Sequence, residues 1–360
     1  MNFEDFIVAP QRIPSEKWQL GSLVRSDIPE AGVALLFVSD FRGAGGTSDP
    51  IDFKRLRQAF YSLSALDFEV PVGDLGDLVS GKTSEDTHYI LQEVLSACHY
   101  KNTIPVIVGG SDDLSLSLFS ALNFHQKNIY YTKISNTVSL SGAGEGITEE
   151  NFLSKILSSK HFSVKDFSLL GYQKHQNEIN SIQLIGEVDF DVVRLADMMN
   201  CTENTEPYFR TADLVTLNCN AVESFAEPFS IRPEVNGLNR REICAYMKEA
   251  GLSENLKSVG IFNYNFNCGS QLNTQLLAQM LWYLIEGINI RRTHPSKKEL
   301  ETFWVMAEDR EYAFKRDTFT NLWYFGSSDN LKECIPCSRD EYETAKKGML
   351  PRRLMRKLHP

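Results

Sequence analysis

The sequence predicts an α/β fold in which helices pack on both faces of a parallel sheet, and three observations carry that expectation. Apolar, β-branched runs such as Gly32–Val38, Ile104–Val108 and Leu214–Leu217 recur along the chain, with the unbroken hydrophobicity of strands buried on both faces. Amphipathic segments alternate with them. The runs end in turns rich in glycine, asparagine and aspartate, at the carboxyl ends where open α/β sheets hold their ligands.

At 360 residues the chain is long enough for one large domain and an extension. Its 37 basic and 47 acidic residues leave a net charge of −10, which argues against nucleic acid and anionic membranes as partners. The N-terminal MNFEDFIVAP has neither the basic nor the long apolar region of a signal peptide. The longest apolar tract, Leu276 to Ile290, is interrupted by Gln279, Glu286 and Asn289, so no membrane span is expected. Seven scattered cysteines, an odd number, fit reduced thiols and a cytoplasmic protein.

In chain order, a loosely patterned N-terminal arm precedes the strand Gly32–Val38. That strand ends in Ser39-Asp40-Phe41-Arg42-Gly43-Ala44-Gly45-Gly46, which matches neither G-x-G-x-x-G nor a Lys-Ser/Thr phosphate loop and so argues against nucleotide binding. Phe53–Ser62 is helical by the spacing of Leu56, Phe60 and Leu63. The strand from Val70 to Leu78 contains Asp74-Leu75-Gly76-Asp77, read as a strand end and turn. Ser84–Tyr100 carries Ile90, Leu91, Val94, Leu95 and Cys98 on one helical stripe.

Ile104–Val108 runs into Gly109-Gly110-Ser111-Asp112-Asp113 and then a helix bearing Leu116, Phe119, Ala121 and Leu122. Asp112, just before that helix, is expected to cap it or sit in its first turn. The strand Asn128–Tyr131 leads into Thr132-Lys133-Ile134-Ser135-Asn136, and Ser139–Gly146 is a small-residue loop. Asn151–Ser159 reads as a helix, Phe167–Gly171 as a strand and Phe190–Asn200 as a helix.

Leu214–Leu217 ends in Asn218 and Asn220, one residue apart, so in an extended chain both amides would point the same way. A loop with Pro228, Pro233 and Gly237 follows, then a helix from Arg240 to Ala250 that Gly251 would stop in a left-handed conformation. Ser258–Asn265 is the last strand of the sheet. The helix from Leu272 to about Ile288 places Leu272, Leu276, Met280, Leu284 and Ile288 four residues apart, as a core helix does. From Arg291 the pattern changes to short aromatic strands at Thr302–Met306, Tyr312–Lys315 and Leu322–Gly326. Ser338-Arg339-Asp340-Glu341 is a capping box opening a helix through Lys347, closed by Gly348, and a basic segment, Arg352–Lys357, ends the chain.

From about residue 30 to 290 this layout resembles the ureohydrolase family of arginase, agmatinase and formimidoylglutamase. The resemblance rests on Asp74-Leu75-Gly76-Asp77, on Gly109-Gly110 after a strand, and on the region after Leu217. There Asn218, Asn220 and Glu223 stand for the family's Asp-x-Asp-x-x-Asp, and Pro228 and Gly237-Leu238-Asn239-Arg240-Arg241-Glu242 for its Pro-rich loop and Gly-Leu-x-x-Arg-Glu. It implies a three-layer αβα, arginase-like domain over residues 1–290 with a parallel sheet of about eight strands, and an extension at 291–360. It also implies two manganese ions held by two His and four Asp, whose bridging hydroxide attacks a guanidino or imino carbon. The corresponding positions here are Asp112, Thr132, Ile134, Asn136, Asn218 and Asn220, and Asn263 stands where a substrate-contacting Glu is expected.

Two dications about 3.5 Å apart repel by roughly 19 kcal/mol at an effective dielectric near 20, which bridging carboxylates must offset. One carboxylate in six positions does not. Isoleucine offers no lone pair, asparagine amides carry no charge, and Lys133 adds a positive one. Asp113 and Glu223 are further acids near the cleft, with helix cap and loop anchor as their positional roles. No metal is therefore expected, manganese included, beyond a single weak cation on Asp112 with Asn218 or Asn220. The old cleft is expected to be closed by amides and hydroxyls.

The histidines, at 88, 99, 125, 161, 175, 294 and 359, offer no His/Asp pair at a strand end. Cys334-Ile335-Pro336-Cys337 has the spacing of a redox pair or half a zinc site, but with no second pair nearby it reads as two buried or turn thiols. The expected function is that of a pseudoenzyme that binds a small molecule or a protein, with homo-oligomers open to it. The alternative is an active ureohydrolase-type C–N hydrolase on a guanidino or formimino substrate.

Overall fold

A computed structural model describes residues 3–358 apart from 142, 143, 145, 200, 201 and 225. The loop at 139–146 and the helix at 190–200 therefore lie partly, and His359 wholly, outside the described residues. Nine strands, β1 (Ile7–Val8), β2 (Val33–Val38), β3 (Val72–Leu78), β4 (Ile104–Val108), β5 (Ile129–Ile134), β6 (Val164–Tyr172), β7 (Asp191–Arg194), β8 (Leu214–Asn218) and β9 (Ser258–Phe262), form one sheet. Their order is β1-β3-β2-β4-β9-β8-β5-β6-β7. Eight of them run parallel, and the N-terminal β1 covers the edge of β3 antiparallel to it.

Pleating sends alternate side chains of each strand into two apolar cores. In β2, Val33, Leu35 and Phe37 enter one and Ala34, Leu36 and Val38 the other. The first core lies under α1 (Lys54–Tyr61), and the second under α2 (Ser84–Tyr100), α3 (Ser115–His125), α4 (Phe152–Ser158) and α5 (Ile179–Glu187). The helices α6 (Leu195–Met198), α7 (Glu206–Arg210), α8 (Arg240–Leu252) and α9 (Gln271–Arg291) complete the first layer. Each large aliphatic side chain buried in this way contributes about 1.5–3 kcal/mol. Among the described residues no helix is long and apolar enough to cross a membrane.

Several local readings are corrected by the structure. The segment read as a helix at 190–200 begins with strand β7, because the β-branched pair Val192-Val193 hydrogen-bonds alongside β6 before α6 starts. Helix α5 carried no expectation. Gly251 does not stop α8: it lies inside the helix, where an added Cβ would sit 2.2 Å from the Leu284 carbonyl oxygen and 3.0 Å from the Gly287 Cα. It is the point where α8 and α9 touch. Leu272 is 63% exposed, while the next four members of its row are buried in the core. Asp74 and Asp77 form no turn: both lie in β3, where Arg57 of α1 binds Asp74 at 2.7 Å and Asp77 at 2.6 Å, and Tyr61 donates to Asp74 at 2.6 Å.

Beyond α9 a second, antiparallel sheet forms from β10 (Leu300–Ala307), β11 (Arg310–Asp317), β12 (Trp323–Phe325) and β13 (Ile335–Cys337). α10 (Arg339–Lys346) and α11 (Arg352–Leu358) follow, and the Ser338–Glu341 capping box opens α10 as expected. A small core stacks Tyr342 on Trp323, with ring centroids 4.3 Å apart. Arg210 of α7 fixes the extension to the main domain by donating to the Trp323 carbonyl at 2.7 Å and lying 4.7 Å over the Tyr324 ring. The basic terminal segment is used the same way: Arg356 pairs with Asp191, and Lys357 with Asp166 and Asp191.

Candidate functional site

The carboxyl ends of β4, β9, β8 and β5, neighbours at the middle of the sheet, bring the candidate residues together. After β4 the chain turns through Gly109 (φ 94°) and Gly110 (φ 75°), a left-handed pair that side chains resist. At Gly110 an added Cβ would also meet the Leu114 side chain at 2.4 Å. This turn delivers Asp112 to a one-turn 3-10 helix ahead of α3. Asp112 does occupy the first turn, as expected, yet its carboxylate bonds side chains across the sheet.

Lys133, fully buried, pairs with Asp112 Oδ2, and Asn218 Nδ2 donates to the same oxygen at 3.0 Å. Asp112 Oδ1 accepts from Ser115 Oγ at 3.1 Å. Asn218 Oδ1 accepts from the Asn220 backbone N–H at 2.9 Å and from Asn263 Nδ2 at 3.2 Å. Asn263, in a left-handed conformation just past β9 (φ 61°), also donates to Glu149 Oε2 at 2.8 Å. Glu149 is in turn paired with Arg232 at 2.5 Å. Burial pushes the Glu149 carboxyl above its usual range, against the pull of Asn263 and Arg232. The result is a continuous chain, buried from Lys133 to Glu149 and ending at the exposed Arg232, in which each charge has a partner.

The other candidates lie elsewhere. Pleating turns Thr132 and Ile134 of β5 away from Lys133: Thr132 donates to the Tyr208 carbonyl at 2.8 Å, and Ile134 is packed in the core under α8 and α9. Asn136 donates to Gln176 Oε1 at 2.7 Å. Asn220 lies in a 3-10 turn rather than extended backbone, and its Oδ1 accepts from the Arg232 N–H at 3.2 Å. Glu223, half-buried, is held through its backbone in a bridge to Glu234.

Sequence reasoning missed a buried histidine pair. His88 Nε2 lies 3.1 Å from Asp113 Oδ2, and its Nδ1 lies 2.7 Å from Ser117 Oγ. Burial raises the Asp113 carboxyl, against the His88 contact. The pairing joins the second turn of α2 to the turn after β4, and no search of strand ends alone could find its histidine. Glu149 and Arg232 were missed for a similar reason, since they come from loops without a motif. The Cys334 thiol donates to the Ser328 carbonyl at 3.3 Å, and burial raises both the Cys334 and the Cys337 thiols, away from redox reactivity.

No family model and no curated protein matches the chain. Solved structures do. Formiminoglutamase from Trypanosoma cruzi, solved with Mn2+, superposes with a TM-score of 0.67 at 17% identity, over 77% of this chain and 99% of that one. Formimidoylglutamase from Bacillus subtilis gives 0.67 at 13% identity, covering 78% and 95% of the two chains. Agmatine ureohydrolase from Thermoplasma volcanium gives 0.62 at 12%, covering 78% and 97%. A further neighbour, at 0.67 and 16%, is an arginase superfamily protein from T. cruzi. The chain is built on the arginase-superfamily fold that these proteins share.

Proposed function

We propose that this protein is a divergent relative of the ureohydrolases that holds no binuclear manganese centre, does not hydrolyse C–N bonds, and acts by binding a ligand or partner. One observation carries the reading: the Lys133 ammonium lies buried against Asp112 and beside Asn218, at the heart of the carboxyl-end cluster. A dication sharing Asp112 would face that ammonium at about 4 Å, a repulsion of roughly 8 kcal/mol at an effective dielectric near 20. The donors within reach are two amides and the Asp112 and Glu149 carboxylates, each already paired with a cation. This set does not fit two dications.

The competing reading, a working hydrolase, draws on the fold shared with formiminoglutamase and agmatine ureohydrolase. An assay separates the two. Incubated with manganese and with formiminoglutamate, agmatine or arginine, the purified protein is expected to release no formamide or urea above a protein-free control. Saturable turnover of any of the three would restore the hydrolase reading.

A further inference from the structure

A pocket lies at the opposite end of the sheet from the carboxyl-end cluster. It encloses about 550 Å³ where the amino ends of β4 and β9 meet the last turns of α2, α3 and α9. His99, His125, Lys257, Arg291 and Arg292 line it, and among the described residues no carboxylate does.

Helix carboxyl ends attract cations, and His99, His125 and Arg291 each lie in the last turn of one of these helices. That accounts for one basic group per helix. Lys257, on the loop before β9, and Arg292, past the end of α9, exceed it. Two acids bear on this cluster from outside the cavity wall: Glu254, paired with Lys298 at 3.0 Å, acts on Arg291, and Asp213, which accepts from the Tyr130 N–H at 2.9 Å, acts on Lys257. His125 Nε2 is buried with no hydrogen-bond partner, in a residue that lines this basic cavity. The neighbouring His99 ring, 5.3 Å from that of His125, is held down to about 4 by burial and by the charges of His125 and Lys257. A bound anion would relieve all three of these costs together.

We propose that this pocket binds the phosphate group of a small molecule, held by Lys257, Arg291 and Arg292 with the His125 imidazole as a further donor. The volume exceeds what a free phosphate fills, so a phosphate ester is the expected form. The inference stands independently of the reading of the carboxyl-end cluster, because it uses neither its residues nor its chemistry.

The test titrates the full-length protein with inorganic phosphate, with ribose 5-phosphate and with sodium chloride at matched ionic strength. Thermal unfolding and the histidine ring NMR signals are followed together. The expected result is a rise in Tm with both phosphates and not with chloride, accompanied by shifts in the His99 and His125 signals. Tighter binding of ribose 5-phosphate identifies an ester as the ligand, and equal binding identifies phosphate itself. Lys257 and Arg292 are exposed, so the Lys257→Ser/Arg292→Ser variant should fold normally and bind about a hundredfold more weakly, as loss of two charge-assisted hydrogen bonds implies. A response to phosphate no larger than to chloride, or a double variant that binds as tightly as the parent, overturns the proposal.

Discussion

At the scale of single residues, the cluster balances charge without help from outside. Asp112 is neutralised by Lys133, and the amides of Asn218 and Asn263 carry hydrogen bonds outward to Glu149, which Arg232 neutralises. Breaking such a buried pair is strongly destabilising, because the charge left behind is uncompensated. Asn218→Asp replaces an amide that donates to Asp112 with a second carboxylate about 3 Å from the first. The variant is expected to lose roughly 2–4 kcal/mol at pH 7. Urea unfolding in the presence of chelator measures this directly, and a variant more stable than the parent would contradict the account. Asp112, Asn218 and Asn263 were legible in the sequence because each follows a recognisable strand. The central place of Lys133 was not, since it depends on which way the pleat of β5 turns.

The scale of secondary-structure elements shows where glycine and acidic residues mislead. Gly251 near the end of an amphipathic run has the look of a helix stop, yet it lets α8 lie against Gly287 of α9. On an exposed helix, Gly→Ala would stabilise. At this crossing the added methyl meets the backbone of α9, and Gly251→Ala should cost roughly 2–3 kcal/mol. A denaturant midpoint equal to or above the parent's would show that the two helices have room to separate. Asp74 and Asp77 mislead in the same manner: their usual company is turns, and here Arg57, twenty or so residues earlier, draws them into the β3–α1 interface. Alternation of apolar strands and amphipathic helices was readable because burial on both faces demands it. β7 and β13 were not, being short strands whose partners rather than whose sequences define them.

For the whole molecule, a parallel sheet of about eight strands was foreseeable from the alternating pattern and the resemblance, whereas the antiparallel edge strand β1 and the docking of the extension were not. The attachment uses Arg210, Arg356 and Lys357 across large sequence separations. The long-range balance also sets the response to pH. Glu249, half-buried on α8, is raised from 4.5 to about 7 by burial and by Glu206. Between those values the folded state keeps a proton that the unfolded chain has lost, so this group's contribution to stability falls as pH rises through the window. Glu249→Gln should therefore match the parent near pH 4 and exceed it by roughly 2–3 kcal/mol at pH 8. Unfolding free energies at the two pH values check this, and a difference that does not change with pH would rule out the buried acid as its source.

The central claim is that Lys133 stands in for the metal charge at the carboxyl end of the sheet, and its most direct test is metal content. The purified protein is dialysed against manganese, freed of unbound ion, and analysed for manganese per chain. The account predicts well below one equivalent. Two equivalents per chain, retained through that procedure, would contradict it and favour the competing hydrolase reading.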